Sequence, residues 1–169
     1  MFCIVPFTAI TQASQPIAGY NYSAGRPDRI RFAMRYTMLF SLIASLIPLI
    51  LCELAPKALA SIIATDGEVI NNSIPALRWT AAAFPFLFLP SAVGILLQST
   101  GKKIIAALLF AESFAFIPPF AFLFGYFIGA AQVWIAFPVA GAAASAVAAV
   151  VLIAVWKRIG RTPTVESAI

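Results

Sequence analysis

The stretch VWIAFPVAGAAASAVAAVVLIAVW, from Val133 to Trp156, contains 24 residues and no charged side chain. A helix needs about 20 apolar residues to cross the hydrocarbon core of a bilayer, so this stretch predicts a membrane-spanning helix. Its middle part, Ala140 to Ala149, consists almost entirely of Ala, Gly and Ser, and such small residues let membrane helices approach one another closely. The stretch therefore indicates a helix packed in a bundle within a membrane.

The composition of the whole chain agrees with this interpretation. Of the 169 residues, 62% are hydrophobic and 10% are charged, whereas an average soluble domain has about 25% charged residues. A soluble helical bundle would also show a polar stripe along each helix, and the central apolar segments lack a sufficient one. The composition therefore predicts an integral membrane protein.

The residue types present disfavour several classes of function. The net charge of the chain is +5. Its basic residues lie between the apolar segments rather than on one basic face with stacking aromatic rings, so we expect no nucleic acid partner. The sequence has no histidine, and Cys3 and Cys52 fall in or beside apolar segments, so we expect unpaired thiols, no metal site and no bound cofactor. The sequence also lacks phosphate-binding loops, Ser/His pairs and closely spaced carboxylates, so we do not expect an enzyme.

Five segments have the length and low charge of membrane spans. Four are clear and contain no basic residue, and the first is less apolar but has no charged residue. Polar and small residues of the first segment recur at spacings of three and four, which places them on one helical face turned away from lipid: Thr8, Thr11, Gln12, Gln15, Gly19 and Tyr22. The predicted fold class is all-α integral membrane with five transmembrane helices, at Phe2–Tyr22, Thr37–Ala55, Trp79–Leu97, Ile104–Ile128 and Val133–Trp156.

The basic residues between the spans predict the orientation of the chain. Two of them, Lys57 and Arg78, lie in the connection between the second and third spans. The other nine follow the first, third and fifth spans: Arg26, Arg29, Arg31, Arg35, Lys102, Lys103, Lys157, Arg158 and Arg161. Because cytoplasmic connections carry the excess of Lys and Arg, the first span should enter from outside and the C-terminal tail, 157–169, should be cytoplasmic.

The connection from Lys57 to Arg78 joins apolar clusters to a polar stretch that contains Asp66, Asn71 and Asn72. This pattern predicts a short amphipathic helix at the outer interface, followed by a turn.

Two acidic residues lie within the predicted spans. Glu112 is about a third of the way into the fourth span, where an ionisable group costs a few kcal/mol and usually faces a cavity or a partner. Either it lines a path for a cationic substrate or a proton, or it is a structural carboxyl bonded to a neighbouring helix. Glu53 is near the outer end of its span and should reach interfacial water.

Prolines occur within every predicted span. An interior proline removes a backbone hydrogen bond and can kink its helix. Bent helices suit a protein that opens and closes around a cavity, although they also occur in static bundles. The prolines that we consider as hinges are Pro85, Pro118, Pro119 and Pro138.

The run from Gln12 to Arg26, QASQPIAGYNYSAGR, resembles the start of the second repeat of the MATE (multidrug and toxic compound extrusion) transporters. The residues that carry this motif are Gln12, Gln15, Pro16, Gly19, Tyr20, Asn21, Tyr22, Gly25, Arg26 and Arg29. Weaker matches follow in order along the rest of the chain, at Ala76–Arg78, Phe84–Phe86, Gln98–Lys102, Val133–Trp134 and Pro138. Ser23, Gln132 and Gly141 depart from the pattern, in which the first two are Gly and the third is often acidic.

The resemblance implies helices eight to twelve of a twelve-helix, two-lobed antiporter of the plasma membrane. Such a transporter exports cationic or amphipathic drugs in exchange for protons or sodium ions. The implied partners are membrane lipid, the missing N-terminal lobe and small substrates, and without that lobe the chain should not transport. Candidate residues of the substrate path are Thr8, Thr11, Gln12, Gln15 and Glu112.

Two alternatives remain open at this point. The chain could belong to a related flippase or permease for lipid-linked or sugar substrates. It could also be a small non-transporting membrane protein that packs beside a larger complex.

Overall fold

The computed structural model describes residues 5–159, apart from the side chains at 7, 113, 130, 131, 158 and 159. The predictions for residues 2–4, which include Cys3, and for most of the tail, 160–169, lie outside the described residues. Within the described part the chain is helical throughout, with short connections: α1 (Val5–Ser23), α2 (Pro27–Leu54), α3 (Pro56–Ser61), α4 (Gly67–Ala82), α5 (Phe84–Ser99), α6 (Lys103–Ala115), α7 (Ile117–Phe127), a 3-10 helix (Ala130–Ile135) and α8 (Ala136–Ile159).

Four helical segments of residues 5–159 are long and apolar enough to cross a membrane: Pro27–Leu54, Gly67–Ser99, Lys103–Phe127 and Gln132–Lys157. Each contains one of the four clear predicted spans or most of it. α1 is helical over 19 residues, but it is not among these four segments because its polar residues lower its hydropathy. The fifth span therefore stays a prediction.

The connection from Lys57 to Arg78 differs in detail from its prediction. The short helix is present as α3, and the turn occupies residues 62–66. The side chain of Asp66 then accepts a hydrogen bond from the backbone N–H of Glu68 at 2.8 Å, which satisfies one of the unpaired donors at the start of α4. Because of this cap, the helix begins at Gly67 and includes Asn71 and Asn72, well before the predicted start of the span.

The helices α1 and α5 end in the same way. Gly25 and Gly101 have positive φ angles of 62° and 79°, which glycine adopts at little cost. The next N–H in each case, of Arg26 or Lys102, bonds to a carbonyl five residues earlier, at 2.9 and 2.8 Å. This is the Schellman arrangement. Ser23, which departs from the family pattern, is the last residue of α1. The residue with the positive φ angle in this turn is Gly25.

α5 is the central helix of the bundle. It packs against α1, α2, α6 and α8, and its residues from Ala92 to Leu97 are all buried. One hydrophobic cluster, which includes Met34, Leu97 and Val155, lies where α1, α5 and α8 end and α2 and α6 begin. We call this the basic end, because the three basic connections meet there. A second cluster around Cys52 and Phe84 lies toward the opposite end.

Two single residues interrupt the long spans. Ala83 separates α4 from α5, and Phe116 separates α6 from α7. Each lies two residues before a proline, Pro85 or Pro118, whose missing N–H and ring both oppose a continuous helix. We call these two places the proline junctions. Pro138 lies in the first turn of α8, where a missing N–H removes no intrahelical bond.

Candidate functional site

A cavity of about 390 Å³ lies between α1, the α4–α5 pair, the α6–α7 pair and α8. Three hydroxyl side chains contribute to a wall that is otherwise apolar. The lining residues are Thr8, Thr80, Ala83, Phe84, Leu87, Pro90, Ser91, Phe110, Phe114, Ile117, Phe137 and Gly141. A mostly apolar cavity with a few polar groups is typical of a site for a small organic molecule.

Four phenylalanine rings dominate the wall of this cavity, those of Phe84, Phe110, Phe114 and Phe137. Phe84 is buried and Phe114 is 73% exposed, so the cavity reaches from the core to the surface of the bundle. The ring of Phe137 stacks against that of Trp134, with ring centroids 6.0 Å apart. Aromatic rings attract a desolvated cation over their faces, so the lining suits an apolar cation.

Both proline junctions border the cavity. Ala83 and Phe84 line it from the first junction, and Ile117 lines it from the second. At the first junction the backbone bonds join residues three apart instead of four, such as that from the N–H of Phe86 to the carbonyl of Ala83 at 3.0 Å. A change of angle at either junction would therefore change the shape of the cavity.

The wall formed by α8 is joined to α5 by a bond that compensates a proline. Pro90 lacks the N–H that would bond to the carbonyl of Phe86 in a regular helix. The hydroxyl of Ser145, on α8, donates to this carbonyl instead. Next to it, a Cβ on Gly141 would lie 3.2 Å from the Cβ of Phe86. A side chain at position 141, such as the acidic one often found in the family pattern, would therefore require Phe86 to shift by a few tenths of an ångström.

Another close contact fixes the ring of Phe110. A Cβ on Gly94 of α5 would lie 2.6 Å from this ring, which is closer than two carbon atoms pack. The absence of a side chain at position 94 therefore leaves room for the far end of the Phe110 ring against α5, in the wall of the cavity.

The structure divides the predicted polar face of α1. Thr8 lines the cavity, whereas Thr11 is buried and donates to the carbonyl of Thr8 at 2.9 Å. Gln15 is half-buried, and its backbone carbonyl accepts a hydrogen bond from the hydroxyl of Ser99 at 3.1 Å. Gln12 is exposed. The face thus contributes one residue, Thr8, to the cavity.

The other motif residues lie near the basic end. Asn21 is buried, and its side-chain amide donates to the carbonyl of Ile17 at 2.8 Å. Gly19 approaches α5, since a Cβ there would lie 3.9 Å from the carbonyl oxygen of Ser99. Tyr22 packs against the hydrophobic cluster of the basic end. Four further motif residues are exposed: Pro16, Tyr20, Arg26 and Arg29.

Glu112 is separated from the other candidate residues. It lies on α6 between Phe110 and Phe114, two residues from each, and therefore points away from the face that lines the cavity. Its Oε1 is shielded from solvent and has no hydrogen-bond partner among the described residues. Its role as part of a cation or proton path stays a prediction.

Glu53 has a partner that its position in the sequence did not reveal. Its Oε2 lies 3.4 Å from the Nε of Arg78, and both side chains are about half exposed, at 48% and 47%. This ion pair links the end of α2 to α4. Exposed pairs of this kind contribute about 1 kcal/mol or less, so the pair adds little stability.

Comparison with known proteins gives a family. The family model described as MatE matches residues 1–123, which include the motif of α1 and both proline junctions but not α8. The weaker sequence matches at Val133, Trp134 and Pro138 lie beyond the matched range and stay predictions. Neither the comparison with curated proteins nor that with solved structures gives a match.

Proposed function

This chain belongs to the MatE family of membrane transporters, and we propose that it forms part of an efflux transporter for apolar organic cations. It corresponds to helices eight to twelve of the two-lobed fold and lies in the plasma membrane with its basic end in the cytoplasm. Export is driven by exchange for protons or sodium ions.

The observation that carries the proposal is the aromatic cavity beside the two proline junctions. Its four phenylalanine rings supply apolar surface and attraction for positive charge. Since α5 and α7 begin at these junctions, bending there would open or close the cavity. A site coupled to bending helices is what alternating access requires.

Transport should need a second lobe. In transporters built from repeats, alternating access is the motion of one repeat against the other. Gln12, Ile17 and Tyr20 form an exposed face of α1 that is suited to face a first lobe. We therefore propose that the chain binds substrate but does not transport it alone.

A transport assay in cells that lack their own efflux pumps tests this proposal. The chain is produced alone or together with helices one to seven of a MatE transporter, and ethidium efflux is followed with and without a proton or sodium gradient. We expect gradient-dependent efflux only with both parts present in the membrane. Efflux by the chain alone would refute the need for a second lobe.

No efflux by the two parts together, with both present in the membrane, would contradict the proposed transport of cations. Movement of a lipid-linked sugar by the same pair would instead support the flippase alternative.

A further inference from the structure

A groove separates α2 and α8 at the basic end. Both helices pack against α5, which leaves a space of about 430 Å³ between them. Its walls are formed by six residues: Arg35 and Met38 of α2, and Leu152, Ile153, Trp156 and Lys157 of α8. We call this the α2–α8 groove.

The groove has one basic side chain on each wall. Arg35 and Lys157 are both exposed, and the described residues supply neither with an ion-pair partner; no carboxylate lines the groove. The acidic residue nearest in sequence, Asp28, is seven positions before Arg35 in the first turn of α2. Among residues 5–159, as far as their side chains are described, no carboxylate therefore compensates the positive charge at the mouth of the groove.

The groove becomes apolar as it leaves the basic end. Met38 is about one turn further along α2 than Arg35, and Ile153 is about one turn before Lys157 on α8. Met38 and Leu152 pack against the hydrophobic cluster, whereas Ile153 is 58% exposed. Both helices meet the criteria for membrane spans, so this part of the groove is open toward the acyl chains of the bilayer.

A hydrogen bond holds the two walls together. The Nη2 of Arg31 donates to the backbone carbonyl of Trp156 at 3.3 Å. This carbonyl belongs to the last turn of α8, where carbonyls lack intrahelical partners. Since Arg31 is one turn before Arg35 on α2, the bond fixes the spacing of the walls next to the basic pair.

We propose that the α2–α8 groove binds an anionic phospholipid. Its phosphate lies between Arg35 and Lys157, and an acyl chain lies along Met38, Leu152 and Ile153. Basic pockets between membrane helices are suited to anionic head groups, and Trp156 is the type of side chain that lies at the level of the head groups. The head group of a zwitterionic lipid would bring its own positive charge close to Arg35 and Lys157, so such a lipid binds more weakly.

Quenching of Trp156 fluorescence tests the proposal on the full chain. Trp79 and Trp134 are replaced by Phe, and the purified protein is titrated in detergent micelles with brominated phosphatidylglycerol or brominated phosphatidylcholine. We expect phosphatidylglycerol to bind about 25-fold more tightly, because each of the two basic residues near the head group contributes roughly a fivefold factor. Equal binding of the two lipids would overturn the proposal.

Charge variants distinguish a specific site from a diffuse positive surface. Arg35→Gln and Lys157→Gln should each reduce the preference for phosphatidylglycerol several-fold, whereas Arg35→Lys should retain it. Lys103→Gln removes a charge from the same end but outside the groove, so it should leave the preference unchanged. An equal loss in Lys103→Gln would contradict a site in the groove.

Two further outcomes are informative. Displacement of the lipid by millimolar glycerol 3-phosphate would show that the groove takes a soluble phosphate and would overturn the assignment to a lipid. If Lys157→Gln fails to fold, judged by size-exclusion chromatography and circular dichroism, Lys157→Arg provides the comparison: it must retain the preference, and a loss would count against the proposal.

Discussion

The hydroxyl of Ser145 on α8 donates a hydrogen bond to the backbone carbonyl of Phe86 on α5, the carbonyl that Pro90 leaves without a helical partner. Freed carbonyls in membrane helices are commonly satisfied by Ser or Thr of a neighbouring helix. Here the bond joins two walls of the cavity, so a proline that weakens one helix also creates a contact between two helices.

This relationship predicts a specific pattern of stability. Ser145→Ala should lower the free energy of unfolding by about 1 kcal/mol, as for other hydrogen bonds between membrane helices. In a Pro90→Ala background the N–H of residue 90 can bond to the carbonyl of Phe86, so the same substitution should cost much less. Unfolding in mixed detergent micelles measures this double-mutant cycle.

Ser91→Ala is the matched control, because its hydroxyl bonds to the carbonyl of Leu87 within its own helix at 2.9 Å. A loss from Ser145→Ala that is the same with and without Pro90 would contradict the compensation.

Gly94→Ala should disturb the cavity through Phe110. The new methyl group meets the far end of the ring, so the ring must shift within the wall of the cavity, and overpacking of this kind costs about 1–3 kcal/mol. We expect lower thermal stability and weaker binding of an apolar cation to the purified chain. Gly67→Ala is the control, since a Cβ there would meet no atom within 4 Å. Unchanged binding in a folded Gly94→Ala protein would argue against Phe110 as part of the site.

Glu112→Gln tests whether the carboxyl of Glu112, whose Oε1 is shielded from solvent, serves transport. Glutamine retains the shape of the side chain and removes its charge, so proton-driven efflux by the chain with a first lobe should fall strongly. Glu53→Gln, at the exposed ion pair with Arg78, should retain nearly full efflux. If efflux and its pH dependence are unchanged in Glu112→Gln, this carboxyl has a structural role only.

The sequence was sufficient for those features that depend on neighbours along the chain. The apolar lengths predicted the helical membrane segments, and the α1 motif, from Gln12 to Arg26, predicted the family that the comparison shows. Pro85 and Pro118 marked places where the chain is interrupted, because a missing N–H acts on its own helix.

Contacts between helices were not predictable in the same way. The pairing of Ser145 with the carbonyl of Phe86 depends on how far α8 slides along α5, which no local pattern specifies. Similarly, the need for glycine at position 94 is visible only in the structure, where Phe110 of the next helix lies against it. The cavity itself combines residues of four parts of the chain, and Thr8 is the only predicted path residue among them.

Calorimetric titration of the purified chain with tetraphenylphosphonium, compared with tetraphenylborate of the same shape and opposite charge, tests the central claim most directly. We predict saturable binding that favours the cation and is about 5- to 30-fold weaker in Phe137→Ala, since one desolvated cation–aromatic contact contributes about 1–2 kcal/mol. Phe122→Ala, which removes a ring that is 75% exposed and outside the cavity, should bind normally. Equal binding of the two ions, or equal loss in both variants, would contradict a cation site in the aromatic cavity.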